Sequence, residues 1–291
     1  LRRTCIENED WFFSTWNPDF VIDPATGRHY GFEDAPEDLL VKNPDCWVLH
    51  PGAQWHGFAD LEDGYCMLDP IKVSVVTPGV TYDGDFTEPG IPATLVTAYL
   101  DHRGIEVEKT TDFTILFLFS IGVTKGKWGT LVNALLNFKK DYDTDAPLTE
   151  VLPEIVATDP VRYAGMGLRG LANEMFAQLK ASGQLKLQAD AFSALPEPAM
   201  TPNAAYQKLV HAEVEQVAVD DMANRIVATG VVPYPPGIPM LMPGEKAGPH
   251  DGPYLGYLRA LQAWDNRFPG FAHDTHGVEL INNKYYIYCL K

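Results

Sequence analysis

Four stretches of the sequence carry residue types that do chemistry, and each has a plainer reading beside it. His273-Asp274-Thr275-His276 sets two imidazoles and a carboxylate within four residues. On a helix, a spacing of three would turn both histidines to one face, where they would suit a metal ion. Pro269-Gly270 before and Gly277 after make the segment a turn, and no third ligand is signalled, so a solvated turn is expected and no metal. The run from Gly122 to Gly129, with Lys125 and Lys127, leads into a helix and offers backbone N–H groups to an anion. It lacks P-loop spacing, which favours an ordinary strand-to-helix connection. The proline-dense run from Pro233 to Pro243 suits either a rigid pocket wall or a rigid connector. Glu108-Lys109-Thr110-Thr111-Asp112 joins two strands with charges of both signs. A carboxylate there either selects a cationic substrate by direct pairing or is simply solvated. The serine-hydrolase elbow, the P-loop and the H-E-x-x-H zinc motif are all absent from the sequence.

The elements that must position these residues follow from periodicity. Ile71-Lys72-Val73-Ser74-Val75 alternates apolar and polar, as a half-buried strand does, and Pro78-Gly79 ends it. Pro92 suits the first turn of a helix that runs to about His102 and stops at Gly104. Ile105 to Glu108 alternates again, and Phe113 to Ser120 is apolar nearly throughout, which predicts a strand buried on both faces. Gly122 to Gly129 reads as a loop, and Leu131, Leu135, Leu136 and Phe138 as the stripe of a helix ending near Lys139-Lys140. Strand, helix, strand, strand, helix makes a compact α/β layer. Upstream of it, residues 1 to about 65 hold Trp11, Trp16, Trp47 and Trp55 among turn formers and read as loops and short strands.

Beyond Pro153 the texture turns helical. One helix is expected from Pro160 to Gly183, a second from Thr201 as N-cap, a third over Val210–Val227 and a last over Tyr254–Trp264. Lys284 to Leu290 closes the chain as an alternating strand. The domain boundary is placed near residue 150, giving domains 1–150 and 151–291.

Composition limits the partners. The 291 residues suffice for one large domain or two ordinary ones, and 46% are hydrophobic against 21% charged, as in a folded protein. A formal charge of −17 argues against nucleic acid or an anionic membrane surface and fits a cationic small molecule or simply good solubility. The longest apolar run, Phe113 to Val123, is too short to span a bilayer, and the N-terminus lacks the apolar stretch of a signal peptide. Cys5, Cys46, Cys66 and Cys289 are scattered without a C-x-x-C pair, as expected of free thiols in a reducing cytoplasm. The opening Leu1-Arg2-Arg3-Thr4-Cys5 reads like the middle of a longer protein, so a fragment or processed piece is expected.

Longer motifs add a resemblance. Trp11-Phe12-Phe13 with Trp16, Trp55-His56-Gly57-Phe58 and Leu68-Asp69-Pro70-Ile71-Lys72-Val73 are similar to the bacterial ornithine/lysine/arginine decarboxylases. Phe117-Leu118-Phe119-Ser120-Ile121-Gly122, Pro233-Tyr234-Pro235-Pro236-Gly237-Ile238-Pro239, Pro243-Gly244-Glu245 and Phe268-Pro269-Gly270-Phe271 resemble the same family, in order, from about residue 10 to the end. Within it, Asp45-Cys46-Trp47-Val48-Leu49-His50-Pro51-Gly52, Thr110-Thr111-Asp112-Phe113 and Lys125 to Val132 look most like the biodegradative, acid-induced arginine type. Glu108-Lys109-Thr110 departs from that pattern toward the inducible lysine type.

The resemblance implies the small domain of an aspartate-aminotransferase-type fold, with its Trp-rich N-terminal segment, followed by a mainly helical α+β C-terminal domain. It implies decarboxylation of a basic amino acid, arginine ahead of lysine or ornithine, with pyridoxal 5′-phosphate (PLP) taking up the electrons that CO₂ leaves behind. Glu108 becomes the partner of the substrate's distal cation, with Thr110 and Thr111 beside it. The proline-dense run becomes support near the entrance, and none of these residues is a base or nucleophile. The family carries PLP on a lysine directly after a histidine, and no His-Lys pair occurs in these 291 residues. The cofactor is therefore expected mainly on an upstream large domain, and a non-catalytic assembly or regulatory module is the rival reading. Relatives of the arginine type work in the cytoplasm in acid resistance or polyamine synthesis, as homodimers that assemble into decamers on acidification. Protonating abundant carboxylates would relieve repulsion between subunits.

Overall fold

The computed structural model describes residues 1–8, 11–81 and 83–291. The chain forms two compact units: Leu1–Leu152 with Met166–Asn173, and Pro153–Gly165 with Glu174–Lys291.

In the first unit, Lys72–Val76 alternates as its sequence demands, with Val73 and Val75 buried. It lies between Ser14–Thr15 and Thr114–Leu118, and Lys109–Thr110 completes a four-stranded sheet whose neighbours are all antiparallel. The helix Ala93–Asp101 packs on this sheet and on the helix Lys125–Asp143. Leu95, Leu100, Ile115 and Leu135 are wholly buried there, and burying such a side chain is worth about 1.5–3 kcal/mol. Phe138 anchors the aromatic part of the core, edge-on to Tyr99 at 5.1 Å between ring centroids. The N-terminal segment builds a small core of its own from Val21, Phe32, Ala35, Cys46 and Trp47. Arg2 lies over the Trp47 ring and donates to the Pro70 and Lys72 carbonyls at 2.8 Å each.

The second unit is mainly helical with two small sheets. Thr201 caps the helix Pro202–Val210 by accepting the Ala204 N–H, with Pro202 in the first turn. The helix Pro253–Arg267 packs on the helix Gln184–Ser193 and on the strand Lys284–Leu290. That strand runs between Glu279–Ile281 and Val214–Ala218, antiparallel to both.

Several expectations are corrected. Ile105–Glu108 is not a strand: Ile105 N–H still bonds the Leu100 carbonyl at the helix end, and pairing begins only at Lys109. Thr114–Leu118 is covered on one face only, with Ile115 and Phe117 buried while Leu118 is exposed. The expected loop over Gly122–Gly129 ends at Thr124, whose hydroxyl accepts the Lys127 N–H and starts the helix; both glycines beyond it are helical. The expected Pro160–Gly183 helix is two, Pro160–Tyr163 and Leu168–Ser182. Gly167 lies so close to Asp145 that a Cβ there would stand 2.2 Å from the carboxylate. Val210–Val227 is not a helix, because Val214–Ala218 exchanges its backbone bonds with Tyr286–Leu290. His273–His276 is not a bare turn, since Asp274–His276 pairs with Val232–Tyr234. All four cysteines are free thiols.

Candidate functional site

Glu108, Thr110 and Thr111 follow one another in sequence, but the sheet does not bring their side chains to one place. Thr110 stands opposite Ile115, and its hydroxyl shares a 2.8 Å hydrogen bond with Thr97 of the overlying helix. Thr111 serves the other direction: its hydroxyl lies 2.7 Å from that of Thr114 and accepts the Thr114 N–H at 3.0 Å. Glu108 gives its N–H to the Leu116 carbonyl at 2.9 Å, leaving an exposed carboxylate with no ion pair among the described residues.

Thr114 opens onto a cavity of about 630 Å³ on the face of the sheet that the helices leave uncovered. Pairing sets Ser14 opposite Val76 and Val76 opposite Thr114, so one row crosses three strands. Ser74, two residues along the same face, adds a third hydroxyl, and Trp16, Val80 and Thr81 complete the wall. Hydroxyls and an indole bind and orient a ligand, but none of these lining groups takes or gives a proton near neutral pH. Sequence alternation already turned Ser74 to this face. Nothing in the sequence pointed to Ser14, and Trp16 stood out only through family likeness; both reach the cavity through backbone bonds to a strand some sixty residues on.

The other candidates resolve differently. The His273 side chain is only 9% exposed, and its backbone N–H and Nδ1 both meet Asp265 Oδ1 at 2.9 Å. Tyr285 donates its hydroxyl to the second oxygen of the same carboxylate. Burial first, then Asp265, pushes the Tyr285 hydroxyl far above its ordinary pKa, so it stays a donor. His276 pairs separately with Asp274 at 3.1 Å, exposed to solvent. Among the described residues, no three His, Cys, Asp or Glu side chains are grouped to hold a metal ion. The proline-dense run forms part of the core of the second unit through Met240 and Leu241, with Tyr234 and Ile238 exposed. No described helix is long and apolar enough to cross a membrane.

Residues 1–127 match the sequence profile described as the major domain of Orn/Lys/Arg decarboxylase, and residues 185–291 match its C-terminal domain. The chain is 51% identical over 281 residues to the biodegradative arginine decarboxylase of Escherichia coli (strain K12), covering 97% of this chain and 37% of that protein. It is 43% identical over 277 residues to the lysine decarboxylase LdcA of Pseudomonas aeruginosa, covering 95% of this chain and 35% of the relative. The solved lysine decarboxylase A from Pseudomonas aeruginosa superposes with a TM-score of 0.88 at 40% identity, covering all of this chain and 38% of that one. The chain thus spans little more than a third of the length of the relatives it matches.

Proposed function

The chain belongs to the Orn/Lys/Arg decarboxylase family, and we propose that it is the C-terminal part of a PLP-dependent enzyme that converts arginine to agmatine and CO₂. One observation carries the choice of substrate: identity is 51% to an arginine decarboxylase against 43% to a lysine decarboxylase over nearly the same residues.

In this reading the first unit is the small domain and the second the family's C-terminal domain. Glu108 meets the distal guanidinium, its carboxylate unclaimed by any other cation among the described residues. Thr111 holds Thr114 and with it the floor of the hydroxyl-lined cavity. Thr110, bonded to Thr97, keeps the strand seated under its helix rather than touching substrate.

PLP itself does not fit that cavity alone. Among the described residues, the lining offers hydroxyls and an indole, with neither an amine to carry the cofactor nor a carboxylate to pair its ring nitrogen. In this reading the cofactor is held by the remaining length of the protein, and no reaction step is assigned to these residues. A cytoplasmic enzyme that consumes protons under acid stress, as homodimers gathering into decamers, completes the proposal. A sedimentation profile unchanged between neutral pH and about pH 5, near carboxylate pKa values, would count against the assembly.

The test is the product formed by the native protein with PLP and arginine, lysine or ornithine supplied separately. Agmatine supports the reading; cadaverine or putrescine in its place overturns the substrate. A second reading, a non-catalytic assembly or regulatory module, draws on the lack of any lysine directly after a histidine in the sequence. No amine from any of the three would favour it.

A further inference from the structure

A second cavity, of about 510 Å³, lies wholly within the first unit and takes no part in the reading above. Its apolar lining includes Val21, Cys46 and Trp55, each buried. Its exposed edge carries Asp19 and Asp45, and neither carboxylate has an ion-pair partner among the described residues. Asn43 also lines it, with its Nδ2 buried and left with only the weak sulfur acceptor of Cys46 nearby. His50, also in the lining, is already paired with Asp63 at 2.7 Å.

These features ask for a ligand of two parts. An apolar stem fills the floor, and a cation answers the two carboxylates at the edge. The volume falls within the range of small-molecule sites, roughly 300–1,000 Å³. We propose that this cavity binds a small amphipathic cation, a primary ammonium or guanidinium on a short apolar stem. It lies beside the hydroxyl-lined cavity: Trp55 lines the one, Trp16 lines the other, and their rings meet at 5.1 Å with the Trp16 N–H bonded to the Trp55 carbonyl. A ligand seated on Trp55 therefore presses on a wall of the neighbouring cavity.

The test is calorimetric titration of the 291-residue chain with n-pentylamine, using 1-pentanol as the uncharged control. Saturable binding of the amine, at least tenfold tighter than the alcohol, is expected. Substituting Asp19→Asn and Asp45→Asn together should weaken it at least tenfold, while Asp251→Asn, at an exposed carboxylate of the second unit, leaves it unchanged. Both changes are at exposed carboxylates, and an unaltered near-ultraviolet circular dichroism spectrum verifies the fold. In parallel, the Trp55 indole N–H resonance should move on titration while that of Trp264 does not. No saturable binding, equal affinity for amine and alcohol, or full affinity in the double variant would each overturn the proposal. None of these readouts depends on decarboxylation, so failure here leaves the proposed function standing.

Discussion

The hydroxyl of Tyr99 donates to the carboxylate of Asp141 at 2.5 Å, tying the helix that covers the sheet to the helix beside it. Arg103 lies over the Tyr99 ring, 3.3 Å from its centroid, and reaches the same carboxylate at 3.7 Å. One buried phenol thus holds an anion and a cation in register across two helices. Tyr99→Phe keeps the ring and removes the charge-assisted bond, so it should cost about 1–2 kcal/mol of stability. Urea unfolding measures this. Asp141→Asn on top of Tyr99→Phe should add clearly less than it costs alone, because the two residues share one interaction.

Backbone approach gives a sharper case. Gly277 has φ +80°, and a Cβ there would stand 1.9 Å from the Gly230 carbonyl oxygen. No rotamer relieves a clash with backbone, so Gly277→Ala should cost about 4 kcal/mol or more. Gly27, at φ +70°, faces open space, and Gly27→Ala should cost only the left-handed strain, roughly 1–2 kcal/mol. Equal losses in urea unfolding for the two variants would contradict the close contact.

These two cases show what the sequence could and could not announce. Strands and caps written in adjacent residues were legible: the alternation of Lys72–Val76, Thr201 before Pro202, and the closing strand Lys284–Leu290. Val214–Ala218 was misread because its pairing partner lies some seventy residues on, and without it the valines suit a helix stripe as well. Glu108, Thr110 and Thr111 were singled out as a group by family likeness alone. Their division between two sides of the sheet was not legible, because it depends on register with Thr114 and Ile115.

Alkaline pH should destabilise the fold, and the sign follows from burial. Burial raises the thiols of Cys5 and Cys289 to about 11 and the Tyr163 hydroxyl to about 12. Unfolded, these groups ionise near about 8.5 for Cys and 10 for Tyr. A raised folded pKa gives stability that is fully present below the unfolded value and lost as pH rises through the folded one. The urea midpoint should therefore fall between about pH 8 and pH 11, and less steeply in Cys289→Ala and Tyr163→Phe. A midpoint flat over that window would contradict the burial of these groups.

Glu108 and Thr110 separate binding from architecture. Glu108→Gln in the native enzyme should raise KM for arginine about tenfold with kcat changed less than about twofold, the mark of a lost ground-state contact. Thr110→Val should leave KM unchanged and lower stability by about 1 kcal/mol, through its lost bond to Thr97. Steady-state kinetics beside urea unfolding distinguishes them, and a KM effect confined to Thr110→Val would reverse the assignment.

The central claim is that this chain closes an arginine-selective decarboxylase. Its most direct test supplies equimolar arginine, lysine and ornithine together to the native protein with PLP and counts the amines by mass spectrometry. Product ratios in such a competition equal the ratios of kcat/KM. Agmatine should exceed cadaverine and putrescine by at least about a hundredfold, near 2.7 kcal/mol of discrimination. Cadaverine or putrescine in excess, or no amine at all, would contradict the account.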